Sequence, residues 1–470
     1  MLSDLPTEVL TIIFQHCDPV IITETCRQFA TIVHTTPSFW SSVNLRSSQF
    51  VSEGPKYLLQ RLQRARTSPL RLTIGPIYLR DVSLPVITQI CQTLAEFNSR
   101  VQLLEITTET SLLAGMILNE IFSTPIVFPT LESLSIRVED DDDTDDYASE
   151  WPHLNPVLER AIEWFPKLRT FATTTFHDCI PVFPERSVFV HLHTLILDGA
   201  LEQGEPYIGS TLALLHSTPR LETLWMKHYT REQNVNVDNL YSKGRKIHVP
   251  APLPCLTSLS IAVPGCGADI IGCIDVPALR ELHIDGSRGP IYGETERDDI
   301  LWSDWDAESV LDSLKHLANG SQHLRRLAVT STYLTAEGWQ WLLFGEGQGP
   351  PFSQLECLAL HELDESSDEV SCGFDDALLL RYSQEPSICL SKLTLLRCHF
   401  PLSGMALVCA IKAKPFELVF DECCPQISSD EFNTLVDLKV KLCRRQEREV
   451  KEDEWWTRGH QIDASDSHVY

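Results

Sequence analysis

Residues 324–334 read LRRLAVTSTYL. Leu324, Leu327 and Val329 set the pattern L-x-x-L-x-L, and its last positions alternate as a half-buried strand does. The pattern recurs at Leu131-Leu134-Ile136, Leu192-Leu195-Leu197, Leu221-Leu224-Met226 and Leu256-Leu259-Ile261. It returns at Leu279-Leu282-Ile284, Leu355-Leu358-Leu360 and Leu390-Leu393-Leu395, with weaker copies at Val101-Leu104-Ile106 and Leu168-Phe171-Thr173. Starts fall 23 to 45 residues apart. In five copies a proline stands two residues before the first leucine: Pro129, Pro166, Pro219, Pro254 and Pro277. A proline there stops a preceding helix and lets the strand begin at once. Helix-like segments lie between copies, at Pro85–Phe97, Pro156–Phe165, Ile208–His216, Ser309–Leu317 and Met405–Lys412. Each unit is therefore a short strand, a loop, a helix and a proline stop. No unit buries its apolar edge alone, so the units must stack.

This array resembles the leucine-rich repeats. The copies at Leu390 and Leu324 also fill the family's later positions, with Cys398 and Phe400 and with Thr332 and Leu334; the others fit only the first three leucines. The resemblance implies an α/β solenoid with parallel strands on the concave face and helices outside. The competing reading is a set of unrelated αβ units that share the pattern. Side chains alternate along a strand, so the residues flanking each third leucine are expected on the concave face. These are Ser135 and Arg137, Trp225 and Lys227, His283 and Asp285, Ala328 and Thr330, Ala359 and His361, Thr394 and Leu396. From them Trp225, Lys227, His283, Asp285 and His361 form the candidate target-binding set. Exposed aromatics often anchor interfaces, which puts Trp225 first. Burial of that ring beneath a neighbouring loop is the alternative.

The N-terminal stretch Leu5–Cys17, LPTEVLTIIFQHC, begins a helix well. Pro6 suits the first helical position, and Glu8 meets the positive end of the helix dipole. Val9, Leu10, Ile12, Ile13 and Phe14 then cover more of the helix than one packing face needs. A second segment adds Ile21, Ile22, Cys26, Phe29, Ile32 and Val33, and TPSFW supplies Phe39 and Trp40. A module of about 45 residues is near the lower limit for a core of its own. Part of this apolar surface is therefore expected to be covered, by the rest of the chain or by a partner.

The same residues resemble an F-box: Leu5-Pro6-x-Glu8-Val9-Leu10-x-x-Ile13-Phe14, then Cys26-Arg27-x-Phe29, and Trp40 after TTPSF. The match is closest to the N-termini of fungal F-box proteins. VIITET, between HCDP and CRQF, is shorter than the family's segment by close to a helical turn. The resemblance implies the substrate-recognition subunit of a Skp–cullin–F-box ubiquitin ligase. Leu5, Pro6, Val9, Leu10, Ile13, Phe14 and Trp40 would form or support the surface for the Skp adaptor, and through it cullin. The repeats would hold the target protein. The alternative is a repeat scaffold whose shortened F-box recruits no ligase. F-box followed by leucine-rich repeats is a known arrangement, so the two resemblances support each other.

The expected division is an F-box at 1–46, a helical linker at 47–68, a divergent repeat solenoid at 69–437, and a charged C-terminal helix or tail at 438–470. A hydrophobic fraction of 43% fits globular domains. The net charge of −27 disfavours nucleic acid or an anionic membrane as the main partner. The sequence shows no basic, apolar leader and no long apolar run, so neither a secretory signal nor a membrane span is expected. Fifteen scattered cysteines with no CxxC fit reduced thiols of the cytoplasm or nucleus. Acidic residues cluster at Glu139–Asp146, Glu294–Glu308 and Glu362–Asp376, each after a repeat strand. Insertions at one point of successive units project from one rim, where they would meet a basic segment of the target; solvated loops are the plainer reading.

No chemistry stands out. Gly345-x-Gly347-x-Gly349 precedes two prolines and no lysine, unlike a P-loop. Adjacent Cys423-Cys424 and the lone His191-x-His193 lack zinc-site spacing. No cofactor, metal or catalytic residue is expected, although an enzyme site assembled from distant residues stays open.

Overall fold

The computed structural model describes residues 5–14, 17, 19–46, 54–78, 84–122, 127–138, 165–174, 189–201, 205–230, 249–262, 267–286, 307–330, 332, 334–346, 349–361, 374–385, 390–396, 398, 402–420, 431, 434–435 and 441–442. The chain divides into two units, Met1–Leu192 and His193–Tyr470.

The first unit opens with helices α1 (Thr7–Phe14), α2 (Pro19–Thr25) and α3 (Arg27–Thr35) and a 3₁₀ turn at Pro37–Trp40. Strand β1 (Ser42–Leu45) follows, then α4 (Gly54–Arg64), β2 (Leu70–Ile77), α5 (Leu84–Glu96), β3 (Val101–Thr108), α6 (Ser111–Phe122), β4 (Ser133–Val138) and β5 (Thr170–Thr174). The strands are all parallel and lie in chain order, β1 to β5. Leu70, Leu72 and Ile74 of β2 are buried while Arg71 is exposed, as their alternation predicts.

Two boundaries shift. The sheet already begins at Ser42, inside the stretch assigned to the N-terminal module. The expected linker holds the crossover helix between β1 and β2, with Leu58, Leu62 and Ala65 fully buried. A parallel pair needs such a crossover, so α4 belongs to the first repeat rather than to a spacer.

In the second unit come β6 (Thr194–Leu201), α7 (Glu205–His216), β7 (Thr223–Thr230), β8 (Ala251–Pro252), β9 (Ser258–Ala262), α8 (Gly267–Gly272), β10 (Ile274–Asp275) and β11 (Glu281–Asp285). They are followed by α9 (Ala307–Gly320), β12 (Arg326–Thr330), α10 (Ala336–Phe344), β13 (Cys357–His361), α11 (Asp376–Gln384), β14 (Lys392–Leu396), α12 (Gly404–Ala413), β15 (Glu417–Phe420) and β16 (Lys441–Leu442). The parallel order is β6-β7-β9-β11-β12-β13-β14-β15-β16, with β8 and β10 paired separately. Lys441–Leu442 pairs with β15, so the run read as a C-terminal helix begins in a strand instead. Two residues suffice because pairing to an existing edge, not local propensity, decides the conformation.

Register stacks the repeat leucines. Leu224, Leu259, Leu282, Leu327, Leu358, Leu393 and Leu418 are successive partners across the second unit's sheet, all nearly or fully buried. The prolines act differently from expectation. In each of the five copies the first leucine's N–H donates to the carbonyl three residues back: Leu131 to Phe128, Leu168 to Phe165, Leu221 to Thr218, Leu256 to Leu253, Leu279 to Val276. The proline thus occupies the second position of a β-turn, where its fixed φ is favourable. The turn's first residue is buried in every case, so the corner is also an anchor for the core.

One glycine is indispensable to the first unit. Gly75 lies in β2 at φ 128°, and a Cβ built there would fall 2.1 Å from the Thr107 carbonyl oxygen of β3. Gly75→Ala combines a barred backbone conformation with a clash against a sheet neighbour, and is expected to cost about 2–4 kcal/mol. Urea denaturation of the variant beside the wild-type chain measures it; an unchanged midpoint would show that β2 and β3 separate freely here.

Burial also fixes one thiol. Cys91 of α5 is 3% exposed and donates to the Ile117 carbonyl of α6 at 3.8 Å. Desolvation, with Glu120's charge adding to it, pushes its pKa well above the ordinary range. The folded chain therefore keeps a proton that the unfolded chain loses above about pH 8.5. Cys91's contribution is complete below that pH and falls by up to about 1.4 kcal/mol per unit as pH rises further. Urea midpoints at pH 8, 9 and 10 are expected to fall more steeply for the wild type than for Cys91→Ala; parallel slopes would refute the assignment.

Candidate functional site

The N-terminal module sorts its apolar residues onto two sides. Val9 and Leu10 both donate to the Pro6 carbonyl, so Pro6 stands just before α1 rather than inside it. Leu10 and Phe14 face inward, where Phe14 meets Phe29 edge-on at 4.9 Å between ring centroids and Phe39 at 6.4 Å. Ile22, Ile32, Val33 and Phe39 are buried as well. Trp40 is 1% exposed. Its indole Nε1 donates to the Val33 carbonyl at 2.9 Å, and the His34 ring stacks parallel to it at 5.8 Å. From α4, Arg64 and Arg61 place their guanidinium groups 4.5 and 5.3 Å from its centroid. Trp40 is thus the pin that ties α3 to the first crossover helix, through cation–π and hydrogen-bonding contacts.

The opposite side of α1 is uncovered. Leu5 is 36% exposed, Val9 39%, Ile12 62% and Ile13 37%; Ile21 on α2 is 66% exposed. Val9, Ile12 and Ile13 follow the i, i+3, i+4 spacing of one helical stripe, and Leu5 lies just before the helix. Of the candidate adaptor-binding residues, Leu5, Pro6, Val9 and Ile13 therefore lie at the surface. Leu10, Phe14 and Trp40 support it from behind.

The sheet faces differ between the two units. In β2 to β4 of the first, strand burial largely alternates: Arg71 is exposed, and Thr73, Glu105, Thr107, Ser133 and Arg137 are half-buried on the face away from the leucines, whereas Phe171, Ala172 and Thr173 of β5 are all buried. Glu105 accepts from the Thr73 hydroxyl at 3.2 Å and lies 3.9 Å from Arg137 Nε. Ser135, beside Glu105 in register, has a buried hydroxyl with no hydrogen-bond partner among the described residues.

In the second unit both faces are buried. Trp225 is 6% exposed, His283 4% and Asp285 5%, while Lys227 and His361 are half-buried. The row in register with Trp225 runs through Ser260, His283, Ala328, Ala359 and Thr394. Both ring nitrogens of His283 are engaged, with Ser260 Oγ at 3.0 Å from Nδ1 and Thr330 Oγ1 at 3.0 Å from Nε2. Trp225, His283 and Asp285 are therefore packed rather than presented, as the alternative reading of Trp225 allowed.

The acidic runs lie mainly outside the described residues: all of 139–146, 294–306 of the second and 362–373 of the third. Two acids of the third run have structural tasks. Asp375 caps α11, accepting from the Leu378 N–H at 2.8 Å. Asp376 accepts from the Ser403 N–H and hydroxyl, both at 2.7 Å, at the start of α12. Cys423, Cys424, Gly347, Phe400 and residues 443–470 also lie outside.

His193 pairs with Glu222 at 3.0 Å, at the surface. Among the described residues no group of three or more His, Cys, Asp or Glu is placed to hold a metal, and no helix is long and apolar enough to cross a membrane.

Fold and site together define a class: an α/β repeat protein of parallel strand–turn–helix units behind a small helical module with an uncovered apolar stripe. No protein-family model and no curated protein matches the chain. Among solved structures, a Bacteroides fragilis protein is similar over 54% of this chain and 65% of its own, at 15% identity and a TM-score of 0.31. TLR13, in its complex with ssRNA13, is similar over 77% and 46%, at 12% identity and a TM-score of 0.35. The chain thus spans less than two thirds of either. Both scores are low, and the repeat architecture rests on strand order and register.

Proposed function

We propose that this chain is a substrate-recognition subunit of a Skp–cullin–F-box ubiquitin ligase, with residues 1–46 as its F-box and the repeats as its target-binding part. The observation that carries the reading is the exposed stripe Leu5, Val9, Ile12 and Ile13, on a helix whose other side is already packed by Leu10 and Phe14. An exposed apolar stripe of this kind marks an interaction site, and the motif LPTEVLTIIF that forms it is the one resembling an F-box. Nothing in such a role requires catalytic residues here. The contribution is proximity, raising the effective concentration of target lysines near a thioester carried by another protein.

The target face fits the first unit better than the second. Arg71, Thr73, Glu105, Thr107, Ser133 and Arg137 present polar groups along adjacent parallel strands, and the buried Ser135 hydroxyl there lacks a partner among the described residues. The scaffold reading keeps one observation in its favour: α2 has only seven residues. Co-expression with a Skp adaptor followed by size exclusion decides between them. A stable one-to-one complex is expected; a folded, soluble chain that elutes alone would hand the lead to the scaffold.

A further inference from the structure

Between the last turns of α3 and α4 lies an open cleft of about 450 Å³, lined by His34, Gln60, Gln63, Arg64 and Arg66. We infer that it binds a small oxyanion of the diphosphate class. This cleft is independent of any ligase role.

Every lining side chain can donate hydrogen bonds, and none is an acid, in a chain of net charge −27. His34 and Arg64 stack on Trp40, which fixes them relative to each other. A guanidinium stacked by its face keeps its in-plane N–H groups for a second partner. Gln60, Gln63 and Arg66 have no side-chain hydrogen bond or ion pair among the described residues. The cleft therefore holds a set of unused donors on a scaffold already ordered by Trp40.

A simpler account covers only part of this. Basic side chains in the last turn of a helix complement its dipole, which would explain His34 in α3 and Arg64 in α4. It does not explain Arg66. That residue follows α4 at φ 49°, the left-handed position after a helix that glycine fills without cost. An arginine there is a strained choice, and observed strain of this kind points to function. What Arg66 supplies to the structure is a second guanidinium on the cleft. Two guanidinium forks suit phosphate oxygens bidentately. One fork on Arg64 and another on Arg66 can each take a phosphoryl group, which points to a linked pair.

The test is calorimetric titration of the full chain with inorganic pyrophosphate, against orthophosphate and sulfate at matched ionic strength. Saturable one-to-one binding is expected for pyrophosphate, at least tenfold tighter than for either control. Arg66→Gly is expected to weaken pyrophosphate at least tenfold while holding or raising Tm, because it relieves the backbone. Equal binding of all three anions would overturn the inference. So would undiminished pyrophosphate affinity in Arg66→Gly, a variant that folds by design.

Discussion

Val9→Asp combined with Ile12→Asp is expected to abolish capture of a Skp adaptor while leaving thermal unfolding nearly unchanged. Both side chains are exposed on α1 and lie outside the buried core of the module. The area left for a partner to cover on the two together is about that of one whole aliphatic side chain, so their joint loss is about 1.5–3 kcal/mol. That is a drop of roughly tenfold to over a hundredfold in affinity, before the cost of desolvating two carboxylates. Leu10→Ala behaves oppositely. Leu10 is fully buried, so its truncation costs the fold about 2–5 kcal/mol and would weaken adaptor binding only by unfolding the module. Co-expression pull-down and a thermal melt on the same preparations separate the two. A double aspartate variant that still captures the adaptor would end the proposal that this stripe is the docking surface.

Trp40→Ala is expected to lower stability by about 3–5 kcal/mol, a large share of the 5–15 kcal/mol typical of a domain. The ring is held on several sides at once, by the Val33 carbonyl, His34, Arg64 and Arg61. Its removal leaves a cavity, takes one of two donors from the Val33 carbonyl, and strips Arg64 of its aromatic surface, while Arg61 keeps only Tyr57. Trp40→Phe keeps a ring for the cations but removes the indole donor, so it should cost less, about 1–3 kcal/mol. Hydrogen exchange offers the sharper readout. In Trp40→Ala, amides of α1, α2 and α3 should lose protection before those of β2 to β4. Uniform loss across the first unit would mean that the module and the sheet unfold as one, with Trp40 as ordinary core.

Much of the repeat was legible because its signal is local. Alternation along Leu70, Leu72 and Ile74 gives a strand whichever partner it meets, and four of the five expected helical segments are helices close to their expected bounds; the fifth, Pro156–Phe165, lies outside the described residues but for Phe165. The uncovered side of α1 was legible as a surplus of apolar residues, although not which of them would face outward. The proline before each repeat was visible, but its task was not. A helix stop and the second position of a β-turn use the same fixed φ, and only the hydrogen bond closing at the first leucine tells them apart.

The sheet's other face was not legible. Thr73 and Thr394 are the same residue type at equivalent strand positions, yet the first is half-buried and the second buried. His283 and Trp225 read as a presented surface until their neighbours are known, because exposure depends on what is packed beside a residue rather than on the residue. The same limit hid β1 and β16, short strands made by the edge they pair with, and the cleft at Arg66, whose lining comes from two helix ends brought together by Trp40. The sequence by itself determined the period, the repeat strands and several of the helices between them, since these depend on neighbours along the chain. The tertiary structure alone decided which apolar residues are sealed and which stay wet, because burial is set by contacts between residues far apart in sequence.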